Sequence, residues 1–201
     1  MTLPDLDVSR ETLARLQVFA DLVEKWTQKI NLVSKASVSD LWSRHILDSA
    51  QIFDLAPPCR SWVDLGSGGG FPAIVIAIIA TEKRPDITVT LVESDQRKCA
   101  FLRSALREMS LSGTVISERI EDLAPLQAEV LSARALADLT TLLSFAEHHL
   151  AAKGTCIFPK GENWRKEHDA AQQQWSYSCE AITSNTNPAA AVLKIEDIKR
   201  V

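Results

Sequence analysis

Asp64-Leu65-Gly66-Ser67-Gly68-Gly69-Gly70-Phe71-Pro72 is the segment whose residue types and spacing could hold a reactive ligand. Glycine adopts positive φ readily and lets a ligand lie against the backbone, which a Cβ would prevent. The helix expected over residues 71–81 offers unpaired N–H groups in its first turn, where Pro72 has none to lose. A turn of this kind after a strand marks the ligand crevice of an open parallel sheet. Gly66, Gly68 and Gly70 read G-x-G-x-G, while Phe71 stands where a dinucleotide fingerprint carries its last glycine. A phenyl ring there obstructs a pyrophosphate, which makes a hydride-transferring NAD enzyme a distant alternative. Asp64, two residues before the first glycine, sits badly beside a phosphate but suits a ligand with a positive centre and an amine, such as S-adenosylmethionine. A bare strand–helix turn without a ligand would use the same residues, so the cluster needs support from elsewhere in the chain.

Ile87-Thr-Val-Thr-Leu-Val-Glu93 supplies some of it. This β-branched run ends in a carboxylate at the next strand end, where a doubly wound fold places the acid that accepts hydrogen bonds from ribose hydroxyls. A surface glutamate capping the following helix is the plainer alternative. His45, Asp48 and Ser49 fall three and four residues apart and share one helix face. A packed, hydrogen-bonded histidine is the commoner outcome there, and Arg44 and Asp48, four apart, could form an ion pair of small worth. In the functional version Asn31, Arg44 and His45 line the mouth of a cleft, and Lys160, at a later strand end, meets a phosphate from the other side. Cys59, Cys99, Cys156 and Cys179 are scattered, with no metal-ligand spacing, and read as isolated reduced thiols.

The elements that must position these groups alternate. Leu13, Leu16, Phe19 or Ala20, Val23, Trp26 and Ile30 recur at helical spacing over residues 9–31, with Ser9 as N-cap. A second helix is expected over 37–55, ended by Pro57-Pro58. From residue 61 strands are expected at 61–65, 87–93, 114–117, 129–133 and 154–159, with helices over 71–81, 95–109 and 137–151. A helix over 163–173 then leads to two last strands, 176–183 and 190–199. Residues 1–58 thus form an N-terminal helical cap, and residues 59–201 an α/β domain in one compact unit.

Length and composition fit an ordinary globular chain of 201 residues. The longest apolar run, Ala73 to Ala80, is too short to span a bilayer, and Met1–Asp7 carries no secretion signal. A cytoplasmic protein with no membrane partner is expected. The net charge of −4 argues against a surface that coats nucleic acid everywhere, though not against a local basic face. Lys25, Lys29, Lys35 and Arg44 form one basic group, and Lys160, Arg165 and Lys166 a second.

Asn31-Leu-Val-Ser34, Arg44-His-Ile-Leu-Asp-Ser49, Asp64 to Pro72, Leu91-Val-Glu93, Lys98, Phe101-Leu102, Arg119-Ile-Glu121, Ser132-Ala-Arg-Ala135 and Lys160-Gly161 occur in order along essentially the whole chain. Together they resemble the small-subunit ribosomal RNA guanine-N7 methyltransferases, also called glucose-inhibited division protein B. The resemblance implies an α/β, doubly wound, mostly parallel seven-stranded sheet of the Rossmann-like methyltransferase type beneath the helical cap. It implies S-adenosylmethionine as cofactor, with Gly66 and Phe71 against the methionine part and Ile120 and Glu121 beside the adenine; Gly68 and Gly70, in the same turn, are read as cofactor-binding with them. Glu93 is placed on the ribose by its strand-end position, and the resemblance puts Arg134 in the same crevice. The acceptor would be N7 of a guanine in small-subunit ribosomal RNA within a ribosomal particle; a monomer is expected because no long unpaired apolar helix face is evident. A small-molecule acceptor, or a cofactor-binding module without turnover, are the competing accounts. Ala73, Glu129 and Ala133 depart from the family's usual Gly, Asp and Ser at those places.

Overall fold

A computed structural model describes residues 6–201, the side chains of Lys35 and Ala36 excepted. Residues 1–5 of the N-terminal stretch and the Lys35 charge therefore lie outside the described residues. The strands are β1 (Ser61–Leu65), β2 (Thr88–Val92), β3 (Gly113–Ile116), β4 (Ala128–Ala133), β5 (Leu150–Lys160), β6 (Trp175–Thr183) and β7 (Ala191–Arg200), of which β2 and β3 are rich in β-branched residues. The helices are α1 (Arg10–Thr27), α2 (Asp48–Leu55), α3 (Ala73–Lys83), α4 (Gln96–Glu108), α5 (Leu139–His149) and α6 (Trp164–Ala171).

The strands make one sheet in the order β3-β2-β1-β4-β5-β7-β6. β1 to β5 run parallel, and β7 inserts antiparallel between β5 and β6. The chain winds outward from β1 to β3, then returns to the other side of β1 as β4. That reversal opens a crevice at the carboxyl ends of β1 and β4. The doubly wound, mostly parallel seven-stranded sheet expected from the sequence is therefore present.

α3 explains why helices precede the sheet. Ala73 to Ala80 are all buried, so the helix has no solvent face before its last turn. A helix that is apolar all round needs cover on two sides. The sheet covers one, and α1 and α2 cover the other through Leu16, Phe19, Val23, Ile52 and Phe53, which join one core layer with Ile74, Ile76 and Ile78. Ser9 caps α1 as expected, its hydroxyl accepting from the Thr12 N–H.

The helix expected over 37–55 is instead three pieces. A 3₁₀ turn (Lys35–Asp40) passes into a π-helical turn (Trp42–Leu47) and only then into α2. π-turns widen a helix locally and concentrate at functional sites. Here Ser49 Oγ donates to the His45 carbonyl at 2.5 Å, and the Arg44 carbonyl accepts from the Arg134 side chain at 3.2 Å. Two further boundaries move. Pro72 is the cap of α3 rather than a residue in its first turn, and α5 stops at His149 because Leu150 is already extended and pairs with Ala128 in the sheet.

Phe19 is fully buried between the cap and the glycine turn, with its ring 5.0 Å from Phe71 and 6.5 Å from Phe101. Phe19→Ala should cost about 3–5 kcal/mol. Urea unfolding should show the midpoint falling at unchanged slope; a loss below about 1 kcal/mol would mean that the cap is not packed on the sheet in this way.

Candidate functional site

Gly66, Gly68 and Gly70 take φ of +66°, +51° and +83° as the chain leaves β1. A Cβ on Gly66 would stand 2.6 Å from Leu136, and one on Gly69 would stand 2.9 Å from the Leu32 carbonyl oxygen. The turn is thus held between the cap and the loop after β4, while a Cβ on Gly68 would meet only the Gly66 oxygen, at 3.7 Å. Glu93 fixes the turn from β2. Its carboxylate accepts from the Gly68 N–H at 2.9 Å and from the Asp95 N–H at 2.8 Å. Each oxygen keeps a further lone pair for a ligand hydroxyl.

Beneath the turn, Asp64 is buried beside β4. One carboxylate oxygen accepts from Ser132 Oγ at 2.6 Å, and Ser132 in turn accepts from Trp62 Nε1 at 2.9 Å. The other oxygen, Oδ2, has no partner. Burial, with a smaller push from the Glu93 charge, raises the carboxyl from its ordinary 3.8 to about 6. An acid kept ionised out of water near neutrality, with one oxygen unused, is an arrangement that awaits a cation.

Arg134 follows β4 and Ala135 after it takes a left-handed φ of +53°. The Arg134 guanidinium lies 5.3 Å from the Phe71 ring centroid and donates to Asp48 Oδ2 at 3.3 Å and to His45 Nδ1 at 2.7 Å. A guanidinium has no acceptor, so His45 Nδ1 is the unprotonated nitrogen and Nε2–H donates to Ser37 Oγ at 3.0 Å. Burial and the charges of Arg134 and Arg44 push His45 down to about 4, in keeping with a neutral ring. His45 also packs beside Phe71, the ring centroids 5.0 Å apart and the planes tilted by 34°. The ion pair that the spacing of Arg44 and Asp48 allows is not formed. Asp48 turns inward to Arg134, Gln51 and Thr186, and exposed Arg44 meets Asp40 at 3.7 Å.

Most of these groups line one cleft of ≈ 1530 Å³ at the carboxyl ends of the central strands; Asp64 and Ser132, 1% and 0% exposed, lie behind its wall. Gly66, Gly68, Phe71, Glu93, Ile120, Glu121 and Arg134 all border it, as do Arg44, His45 and Lys160. Gly70 is buried behind it against Phe19 and Ile74, and exposed Asn31 does not border it. Lys160 is not a free charge. It pairs with Glu167 at 2.5 Å and donates to the Ala137 carbonyl at 2.9 Å. Of the second basic group, Arg165 lies over Trp164 at 4.3 Å. The hairpin tip at Ser184 and Thr186, which reaches Asp48 and Gln51, was silent in the sequence. So was Ser132. Ala133 lacks the hydroxyl usual there, yet the preceding Ser132 carries one onto Asp64.

A family model described as rRNA small subunit methyltransferase G matches residues 12–191. Two curated relatives, each called ribosomal RNA small subunit methyltransferase G, are similar over nearly the whole length. That of Ruegeria sp. (strain TM1040) is 59% identical over 98% of this chain and 96% of its own. That of Ruegeria pomeroyi is 58% identical over 100% of both. Among solved structures, M. jannaschii TYW2 in complex with AdoMet aligns with a TM-score of 0.58 at 14% identity, covering 87% of this chain and 80% of that one. A putative O-methyltransferase from Klebsiella pneumoniae aligns at 0.60 and 12% identity, covering 95% and 92%. At such identities the likeness is one of fold.

The raised Asp64 carboxyl has a thermodynamic signature. Because the folded state holds this proton more tightly than the unfolded chain, its stabilising contribution is present in full below about pH 3.8 and is lost as pH rises to about 6. Relative to Asp64→Asn, the protein should lose about 3 kcal/mol across that window. Urea unfolding of both proteins from pH 4 to pH 8 checks this, and parallel pH curves would contradict it.

Proposed function

The protein belongs to the rRNA small subunit methyltransferase G family, and from that premise we propose that its cleft holds S-adenosylmethionine against N7 of a guanine in small-subunit ribosomal RNA. The observation that carries the cofactor assignment is the pairing of an open glycine turn with the unpartnered Asp64 Oδ2 beneath it. The turn gives backbone access to the amino-acid end, and the carboxylate draws the ammonium. Phe71 closes the methionine side, Glu93 keeps lone pairs for the ribose hydroxyls, and Ile120 and Glu121 flank the adenine. Arg134, beside Phe71, faces the same ligand.

When bound, the cofactor supplies a sulfonium methyl whose S–C bond breaks as the N7–C bond forms, the positive charge passing to the purine. Purine N7 presents an in-plane lone pair and loses no proton, so the chain has only to align and exclude water. Alignment of this kind is worth about 7 kcal/mol or more. The commitment of both His45 nitrogens agrees with such chemistry, since the one imidazole that borders the cleft among the described residues is not available as a base. Arg44 and the hairpin tip at Thr186 and Asn187 stand on the rim where an RNA backbone would arrive.

We take the acceptor to be presented within a ribosomal particle and the enzyme to act as a cytoplasmic monomer. Among the described residues only Val18 and Val201 are large exposed hydrophobics, which favours a monomer. No helix among them is long and apolar enough to cross a membrane.

Small subunits from cells lacking the activity, incubated with labelled S-adenosylmethionine, should gain label as N7-methylguanine. Gly66→Asp, which puts a side chain at φ +66° and against Leu136, should abolish it. Label found only in a small molecule, or none above the Gly66→Asp control, would refute the assignment. KM for the cofactor should also rise as pH falls through about 6, where Asp64 takes a proton and loses its pull on the ammonium. A KM flat between pH 5 and pH 8 would remove Asp64 from the binding site.

A further inference from the structure

The chain between β3 and β4 carries Ile120 and Glu121, yet little in its own backbone holds it. Residues 117–127 contain only the short 3₁₀ turn Ile120–Asp122, whose internal hydrogen bonds are long: Asp122 N–H to the Arg119 carbonyl at 3.2 Å, and Leu123 N–H to the Ile120 carbonyl at 3.4 Å. Two adjacent histidines at the end of α5 supply what is missing. His149 Nε2–H donates to the Ile120 carbonyl at 3.0 Å, and His148 Nε2–H donates to the Leu123 carbonyl at 2.9 Å. Among the described residues these are the side-chain hydrogen bonds that reach the backbone of residues 118–127.

The pair is built for this geometry. His149 is 1% exposed, and its ring stands edge-on to His148 with centroids 4.6 Å apart. A carbonyl only accepts, so the proton of His149 is on Nε2 and the buried Nδ1 is left without a partner. Burial lowers the basicity of His149, which keeps the ring neutral. Because β5 begins at Leu150, the residue after His149, the end of α5 is anchored in the sheet and the imidazole is aimed by it. Neither histidine borders the cleft. Both act on it through the turn.

We propose that His149, assisted by His148, is a positioning residue that sets the Ile120–Glu121 turn in place for the adenosine half of the cofactor. The proposal rests on the reading that this turn flanks the adenine. Ordering the turn before the ligand arrives removes that entropy cost from binding. The clamp should therefore govern affinity for adenosine-bearing ligands and leave methyl transfer at saturation alone.

Calorimetry on the full chain tests this with S-adenosylmethionine and with 5′-methylthioadenosine, which carries the adenosine without the amino acid. His149→Leu, which leaves the Ile120 carbonyl with only the long bond from the Leu123 N–H, should weaken both ligands by a similar factor, roughly 5- to 20-fold. kcat at saturating cofactor should stay within about twofold. His149→Gln, whose side-chain amide N–H can occupy the place of Nε2–H, should restore most of the affinity. Unchanged binding in folded His149→Leu, a loss confined to S-adenosylmethionine, or a Gln variant no better than Leu would each overturn the proposal. Should His149→Leu not fold, His148→Leu at the exposed partner carries the same comparison, with a smaller loss expected and unchanged binding overturning the clamp. Ile120→Ala separates the two levels. If it weakens both ligands while the histidine variants do not, the clamp fails and the adenine reading stands; if it weakens neither, both fail.

Discussion

A guanidinium does not surrender its charge, so wherever a fold takes one out of water other groups must receive its hydrogens. After β4 the Arg134 side chain is only 16% exposed, and what receives it comes from the cap: the Asp48 carboxylate, the Arg44 carbonyl and the neutral His45 ring. None of these lies on the sheet. The central strands therefore reach their working geometry only when the segment preceding them is in place. The Arg44 carbonyl and the His45 ring both sit in the π-helical turn Trp42–Leu47, where the helix is locally widened.

The same dependence governs the glycine turn. Glu93 holds it from β2, Leu136 borders it from the loop after β4, and the Leu32 backbone closes over Gly69. Parts from three regions of the chain meet on a stretch of five residues. The carboxylate below it is charged near neutrality and incompletely satisfied, as is common where a binding site is kept ready at some expense in stability.

Much of this was legible in the order of residues. Strands and crossover helices announced themselves by period and by β-branched runs, and β1 lies where Ser61–Leu65 was expected. The turn at Gly66–Gly70 follows from the need for positive φ. What escaped was non-local. Nothing in the spacing of Arg44, His45 and Asp48 says that a residue about ninety positions later will claim two of those side chains and a carbonyl, so the helix over 37–55 looked continuous and Asp48 looked like the partner of Arg44. Lys160 looked free because Glu167 lies seven residues on, beyond any fixed helical register. His148 and His149 carried no pattern at all, since their partners are main-chain oxygens, which a sequence does not distinguish. Ser132 was hidden similarly, its hydroxyl facing a carboxylate on the neighbouring strand.

The apolar circumference of α3 sets a limit on how this chain could be shortened. Ile74, Val75, Ile76, Ile78 and Ile79 are covered partly by the sheet and partly by α1 and α2. A polypeptide beginning after the paired prolines would retain every strand and every glycine of the cleft, yet would bare one flank of that helix to solvent. Contiguous aliphatic surface of this sort drives self-association. Solubility of the sheet, and not only completeness of the cleft, is thereby made conditional on the first fifty-odd residues.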